Sequence, residues 1–302
     1  MAEKLYNGLV IGDVHICERN PICRADDIRK TQIAKMDAIA AIANEKKAPL
    51  FIVGDLYDRW QVGFRLVHEV NTHLLAPVKL GVYGIAGNHD LPGHNINRMG
   101  DSPLALAPIS WVWDGLWCNE LSAAYSHYGV DLCEEPADVA FEHRMVFLDN
   151  PIDGYNGKQY DVRWLINQPL YSNKRLIFTG HAHKGFCFKN ADGRMWVNTG
   201  PIMRTSITDK YCEPSVWYFE ITKTKCEVWK IALPVNVDAV DRLELYIDKA
   251  KDTMVSEFAA GIKAQEAVVG DYKAIVTRLV AKADDPQVEK AVWMAVEDET
   301  LV

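Results

Sequence analysis

The seven cysteines of this 302-residue chain (Cys17, Cys23, Cys118, Cys133, Cys187, Cys212 and Cys226) are odd in number and include no C-x-x-C pair. That argues against both a disulfide framework and a thiolate zinc site, and free thiols suit a reducing compartment. Long apolar runs are missing as well. The longest, such as PLFIVG at 49–54, are far too short to cross a bilayer, so no membrane attachment is expected. The opening residues MAEKLYNGLVIGD lack a basic stretch followed by a long apolar core, and a cytoplasmic location is therefore expected. Internal repeats and low-complexity tracts are absent. With 49% hydrophobic and 25% charged residues, the composition is that of a globular protein and excludes a disordered, collagen-like or coiled-coil chain.

A basic excess is also lacking. Lys and Arg number 33 against 41 Asp and Glu, a net charge of −8. The segment from Asp238 onward holds 14 acidic and 8 basic residues, leaving a nearly balanced 27 and 25 before it. No strongly basic nucleic-acid footprint is present. Nucleic acid stays open as a ligand, because bound metal ions supply positive charge that a residue count omits.

What is present is alternation. Tyr6–Gly12 is a short apolar run, residues 27–47 space Ile28, Ile33, Met36, Ala40 and Ala43 along one helical face, and 49–55 reads as a buried strand. A helix is expected over 63–75 and a strand over 79–87. This βαβαβ order implies a mostly parallel sheet with right-handed crossovers. Further strands are expected at 144–149 and 175–180, and hairpins at 185–198 and 215–231. After Pro234 the pattern turns helical, so a catalytic domain is expected over 1–233 and a helical region over 234–302.

The chemistry-bearing residues fall at the strand ends. Asp13 and His15 follow the first strand, Asp55 the second, Asn88, His89 and Asp90 the third, and His181 and His183 a later one. One Gly-Asp step after a strand is an ordinary turn. Four such ends in one chain, each bearing Asp, Asn or His, should converge on one rim of an open sheet. Carboxylate, amide and imidazole donors without thiolates select Mn²⁺, Fe²⁺, Mg²⁺ or Zn²⁺. More than six donors imply two ions, which can share a carboxylate and clamp a phosphate.

The ordered set D-x-H, G-D-x-x-D-R, G-N-H-D and G-H-x-H, from Asp13 to His183, resembles the calcineurin-like metallophosphoesterases. The resemblance implies a four-layer α/β/β/α sandwich. It also implies that Asp13, His15 and His183 hold one metal, that Asp55 bridges, and that Asn88 and His181 hold the other. His89 would protonate the leaving oxygen and Asp90 would orient it. The family usually adds a His ligand at the end of the strand after G-N-H-D. Here that strand reads RMVFLDNP at 144–151, so Asp149 is the expected counterpart, and His143 lies at the wrong end of the run. A carboxylate there would favour harder ions such as Mn²⁺, or leave the second site weak.

G-N-H-D and GDLYDRW differ from the wording of phosphoprotein phosphatases. Residues 12–27 and 197–221 resemble SbcD-like DNA repair exonucleases, particularly the shorter bacteriophage versions. Asn198, Gly200 and Arg204 match the late N-P-G-S-x-x-R pattern, whereas Thr199 and Pro201 do not. The resemblance implies a manganese-dependent nuclease acting on DNA. Arg204 and Arg59 are candidate phosphate contacts, and the aromatic run at 111–117 a candidate stacking platform. By the same resemblance the helical region from 238 docks an SbcC-like ATPase; homodimerisation and packing on the catalytic domain are the alternatives. Two other functions stay open: a small-molecule phosphodiesterase or phosphatase, and a non-catalytic scaffold whose metal site has degenerated.

Overall fold

The structure is a computed structural model that describes residues 5–111, 116–118 and 121–240. Strand and helix alternate early, as the periodicity predicts: β1 (Tyr6–Ile11), α1 (Ile28–Glu45), β2 (Leu50–Val53), α2 (Phe64–Val70) and β3 (Val82–Ile85). A wider π-type turn, Asn71–Leu75, continues α2. In α1, Ile28, Met36, Ile39, Ala40 and Ala43 are buried, the stripe of a helix that lies on a sheet. There follow β4 (Ser110–Trp111), β5 (Leu116–Cys118), β6 (Leu121–Ser126), β7 (Ala137–His143), β8 (Val146–Phe147) and β9 (Tyr160–Asp161). The helical turn α3 (Val162–Leu165) precedes β10 (Lys174–Gly180), β11 (Phe186–Lys189), β12 (Met195–Asn198), β13 (Ser215–Ile221) and β14 (Cys226–Ala232).

Two six-stranded sheets result, ordered β14-β13-β1-β2-β3-β4 and β11-β12-β10-β7-β6-β5. The strands from β1 to β4 run parallel to one another, as do β6, β7, β10 and β12. The expected hairpins each form one edge of a sheet, β11 with β12 and β13 with β14, both antiparallel.

Side-chain alternation divides the core into three layers. Leu9, Ile11, Leu50 and Ile52 face α1 and α2. Their neighbours Val10, Phe51 and Val53 face Val139, Phe141, Leu176 and Phe178 of the second sheet. Ala140 and Ile177 point to the far side, against Val162 and Leu165 of α3. The protein is therefore an α/β/β/α sandwich. Between the sheets Phe141 stacks on Phe51 at 4.7 Å, Tyr125 at 5.1 Å and Phe178 at 5.7 Å. Such pairs add about 0.5–1.5 kcal/mol each beyond their buried area.

The strand expected at 144–149 is displaced. The long strand is β7, seven residues earlier, and only Val146–Phe147 of the expected run is extended, paired with β9. A buried acid disguises β7. Glu142 is 1% exposed, yet its carboxylate accepts hydrogen bonds from the Tyr171 hydroxyl at 2.7 Å and from Arg144 Nε. Those bonds and the Arg144 charge offset the cost of burying it.

The chain divides into two compact units. The first holds both sheets and ends at Val235. The second comprises Asn20–Asp27, Thr205–Lys210 and the chain from Asn236. Within it Arg24 bridges to Val240, Ala25 N–H donates to Ala239 O at 3.0 Å, and Asp209 accepts from the Thr205 and Ser206 N–H groups. The helical region expected from 234 lies beyond Val240 outside the described residues, as do the side chains of the 111–117 aromatic run. No helix among the described residues is long and apolar enough to cross a membrane.

Candidate metal centre and active site

All the parallel strands of both sheets end at the same rim, where the loops place the donor side chains. β1 delivers Asp13 and His15, β2 Asp55, β3 Asn88 and His89, β7 His143, and β10 His181 and His183. The backbone turns sharply there. Asp13, His15, Asp55 and His181 have φ values of 48°, 47°, 51° and 83°, the left-handed region that costs a non-glycine residue about 1–3 kcal/mol. Side chain to backbone bonds hold these turns in place. Asp13 Oδ1 accepts the His181 N–H at 2.7 Å, and Asp55 Oδ1 accepts the His89 N–H at 2.9 Å. Gly54, with φ of 83°, allows a close approach, because a Cβ at that position would run into the His143 ring.

Donor atoms gather in overlapping groups: Asp13, His15 and His183; Asp55, His143 and His181; and His15, Asp55 and His89. His15 Nε2 lies 3.0 Å from His183 Nε2 and 3.8 Å from Asp55 Oδ2. On the other side, His143 Nε2 lies 3.3 Å from the same Asp55 oxygen and 3.1 Å from Asn88 Oδ1. Asp55 thus stands between the two groups, as a carboxylate shared by two ions must.

The protonation chemistry fits cations at this position. Burial disfavours charge on His15 and lowers its pKa to about 3, against the pull of Asp55. Burial and the neighbouring His143 lower His181 to about 3 as well. Both rings are neutral, the form that coordinates a metal. His143 goes the other way. Burial disfavours its charge, but the Asp55 carboxylate overcomes that and lifts it to about 9. Its Nδ1–H donates to Val53 O at 2.8 Å, so the extra proton sits on Nε2, between two oxygens, where a divalent ion would replace it. Burial pushes the Asp13 carboxyl up, opposed by His183 and His143. Asp13 Oδ2 is buried without a hydrogen-bond partner among the described residues, which an ion would supply. The cluster fits a dinuclear metal site.

The structure brings together Asp13, His15, Asp55, Asn88, His181 and His183, as the motif order leads one to expect. Asp149 is not among them. It is 66% exposed and pairs with Arg163 at 3.3 Å on the surface, and His143 stands in the place expected for it. The correction follows from the strand shift, since His143 closes β7 and Asp149 lies past β8.

Asp90 also departs from its expected part. Its carboxylate accepts the backbone N–H of Tyr57 and Gly87 at 3.0 Å and of Leu56 at 3.3 Å. It fastens the β2 and β3 loops to each other. The exposed His89 is instead oriented by Asp58, whose carbonyl accepts from Nδ1–H at 2.7 Å, and it packs edge-on against His15 at 4.8 Å.

Arg59 is exposed and pairs loosely with Asp58 at 3.9 Å. Arg204, the other candidate phosphate contact, is buried, 3% exposed. Asn198 has a clear structural part. Its amide donates to Ala182 O at 2.6 Å and Lys184 O at 2.9 Å, fixing the loop that carries His181 and His183.

Two contributors escape the sequence pattern: the Asp58 carbonyl and Tyr155, whose hydroxyl lies 2.9 Å from His181 Nε2. A backbone carbonyl leaves no residue-type signal, and Tyr155 lies far from every motif. His94, outside the motif set, donates from Nδ1–H to Asn88 O at 2.9 Å and steadies that ligand's loop.

No curated protein is similar to the chain in sequence at a significant level. Among solved structures it is similar to a dimetal phosphatase from Danio rerio, with 11% identity, 76% of this chain and 99% of that one covered, and a TM-score of 0.45. It is also similar to zinc-complexed Vps29 from Entamoeba histolytica (12%, 75% and 98%, TM-score 0.34) and to Vacuolar Protein Sorting 29 from Cryptosporidium parvum (15%, 76% and 99%, TM-score 0.35). At this level none of them carries an argument about the chain. The family match is of another kind. Residues 8–185, from β1 through the G-H-x-H loop, match the calcineurin-like phosphoesterases, so the chain belongs to that family.

Proposed function

We propose that this protein is a dinuclear-metal DNA nuclease of the SbcD type. The observation that carries the reading is the pair of donor groups, Asp13–His15–His183 and Asp55–His143–His181, beside the exposed His89. In this reading Asp13, His15 and His183 would hold one ion, Asn88, His143 and His181 would hold the other, and Asp55 would serve both. Mn²⁺ suits the mixed oxygen and imidazole donors. When bound, the two ions supply Lewis-acid charge neutralisation at the phosphate and lower the pKa of water. His89, held at Nδ1 by the Asp58 carbonyl, presents Nε2 to protonate the departing oxygen. Asp90 and Asn198 keep the three ligand loops in register, and the neutral His15 and His181 rings leave their lone pairs for coordination.

DNA as substrate is supported by the SbcD-like wording of 12–27 and 197–221 and by G-N-H-D. Arg59, exposed beside Asp58, is the side chain proposed to meet a phosphate. The helical region from 234 is proposed to dock an SbcC-like ATPase or a second copy of the chain. One observation favours a small phosphodiester instead: the nearly balanced charge before Asp238, since a polyanion gains little from a neutral surface.

The test is cleavage of end-labelled single- and double-stranded DNA with Mn²⁺, Mg²⁺ or chelator, beside a His89→Ala variant. Mn²⁺-dependent cleavage lost in that variant is expected, and the product ladder gives the polarity. Two bound metals with neither DNA cut would overturn the unaided nuclease, and bis(p-nitrophenyl) phosphate and cyclic nucleotides would then be the substrates to assay. Uptake of less than one Mn²⁺ would favour the scaffold.

A further inference from the structure

The segment 152–159 is built as a strap over the metal centre. Its neck is closed by Gln159, whose amide accepts the Ile152 N–H at 2.6 Å and donates back to Ile152 O at 2.9 Å. From Asp153 to Lys158 every residue is exposed except Tyr155. The Tyr155 ring turns inward over Gly157, where any Cβ would meet it within about 2.6 Å. Its hydroxyl reaches His181 Nε2 at 2.9 Å, and the two rings meet edge-on at 5.6 Å. A second tyrosine, Tyr128, packs on His181 at the same centroid distance.

An imidazole has two nitrogens, and the partner of one decides what the other does. With Nε2 engaged by the phenol, Nδ1 is the nitrogen left for the Asp55–His143 side of the centre. We propose that Tyr155 is a positioning residue that accepts the His181 Nε2–H, locks that tautomer and ring angle, and so aims Nδ1 at the ion. The Gln159 clasp and Gly157 exist to deliver it. Partners of this kind alter metal affinity by about 10–100-fold. The proposal rests on the dinuclear-metal reading and not on DNA as the substrate.

Two measurements on the full chain test it. Calorimetric Mn²⁺ titration of Tyr155→Phe should leave one equivalent at wild-type affinity and weaken the other about 10–100-fold. Gly157→Ala, which touches neither His181 nor an ion, should reproduce the loss by displacing the ring. Histidine ¹⁵N spectra of the metal-free protein should show His181 as the Nε2–H tautomer in the wild type and as a mixture in Tyr155→Phe. Unchanged affinities at both sites, or an unchanged His181 tautomer, would overturn the proposal. If the wild type took up less than one Mn²⁺, the metal centre itself would fail. The tautomer result would then separately uphold or overturn the part assigned to Tyr155.

Discussion

His143 and Asp55 face each other from opposite sheets, Nε2 to Oδ2 at 3.3 Å. One closes β7 and the other follows β2. Their separation of 88 residues in sequence is spanned only because the sheets pack face to face. Burial resists charge on Asp55, but His143 and His15 hold its carboxyl below the usual carboxylate range. The pair is therefore ionised without an ion, and binding one requires His143 to give up its Nε2 proton.

His143→Ala is expected to lower Mn²⁺ uptake from two equivalents to about one and to abolish most hydrolysis. Asp149→Ala, which removes only a surface ion pair, should change stability by less than about 0.5 kcal/mol and leave uptake at two. Metal analysis after desalting reads both. A loss of metal from Asp149→Ala with none from His143→Ala would restore the assignment made from the strand pattern.

Ion binding should stabilise the fold, because the buried Asp13 oxygen and the crowded imidazoles gain a partner found only in the native state. At a free concentration of 100 times Kd the gain is about 2.7 kcal/mol. For a chain of this size each kcal/mol raises Tm by roughly 2–4 °C. A thermal melt with millimolar Mn²⁺ that superimposes on one with chelator would contradict the cluster's fit to metal.

Asp90 is expected to matter for folding before it matters for chemistry. Asp90→Ala leaves the N–H groups of Leu56, Tyr57 and Gly87 without their acceptor. At about 1 kcal/mol or more for each stranded donor, the loss should reach roughly 3 kcal/mol in urea unfolding, with the Asp55 and Asn88 loops released together. Asp90→Asn, which keeps an amide oxygen, should lose less. An unchanged urea midpoint in Asp90→Ala would return Asp90 to a purely catalytic reading.

Phe141 lies at the centre of the intersheet aromatic stack, against Phe51, Tyr125 and Phe178. Phe141→Ala should cost about 3–5 kcal/mol, since rigid aromatic neighbours cannot close the cavity. The same substitution loosens the register of β7 and with it the position of His143. Mn²⁺ affinity should therefore fall beyond what a cavity elsewhere in the core produces, a comparison that Leu74→Ala in the helix-facing layer supplies.

The sequence by itself determined the βαβαβ alternation, the two terminal hairpins and the rim on which Asp13, His15, Asp55, Asn88, His181 and His183 meet. Each of those is a local matter: periodicity forms the strand, and the motif residues follow it within one to four positions. What only the tertiary structure decided is non-local. β7 is hidden because Glu142 breaks its apolar run, and the buried acid is satisfied by the nearby Arg144 together with Tyr171, brought in from 29 residues further along the chain. That shift replaces Asp149 by His143. Likewise the Asp58 carbonyl takes the part expected of Asp90, since which acceptor His89 finds depends on how two loops cross. Tyr155 reaches His181 through a strap with no periodicity at all. Local pattern names residues that can bind; packing decides which of them face one another.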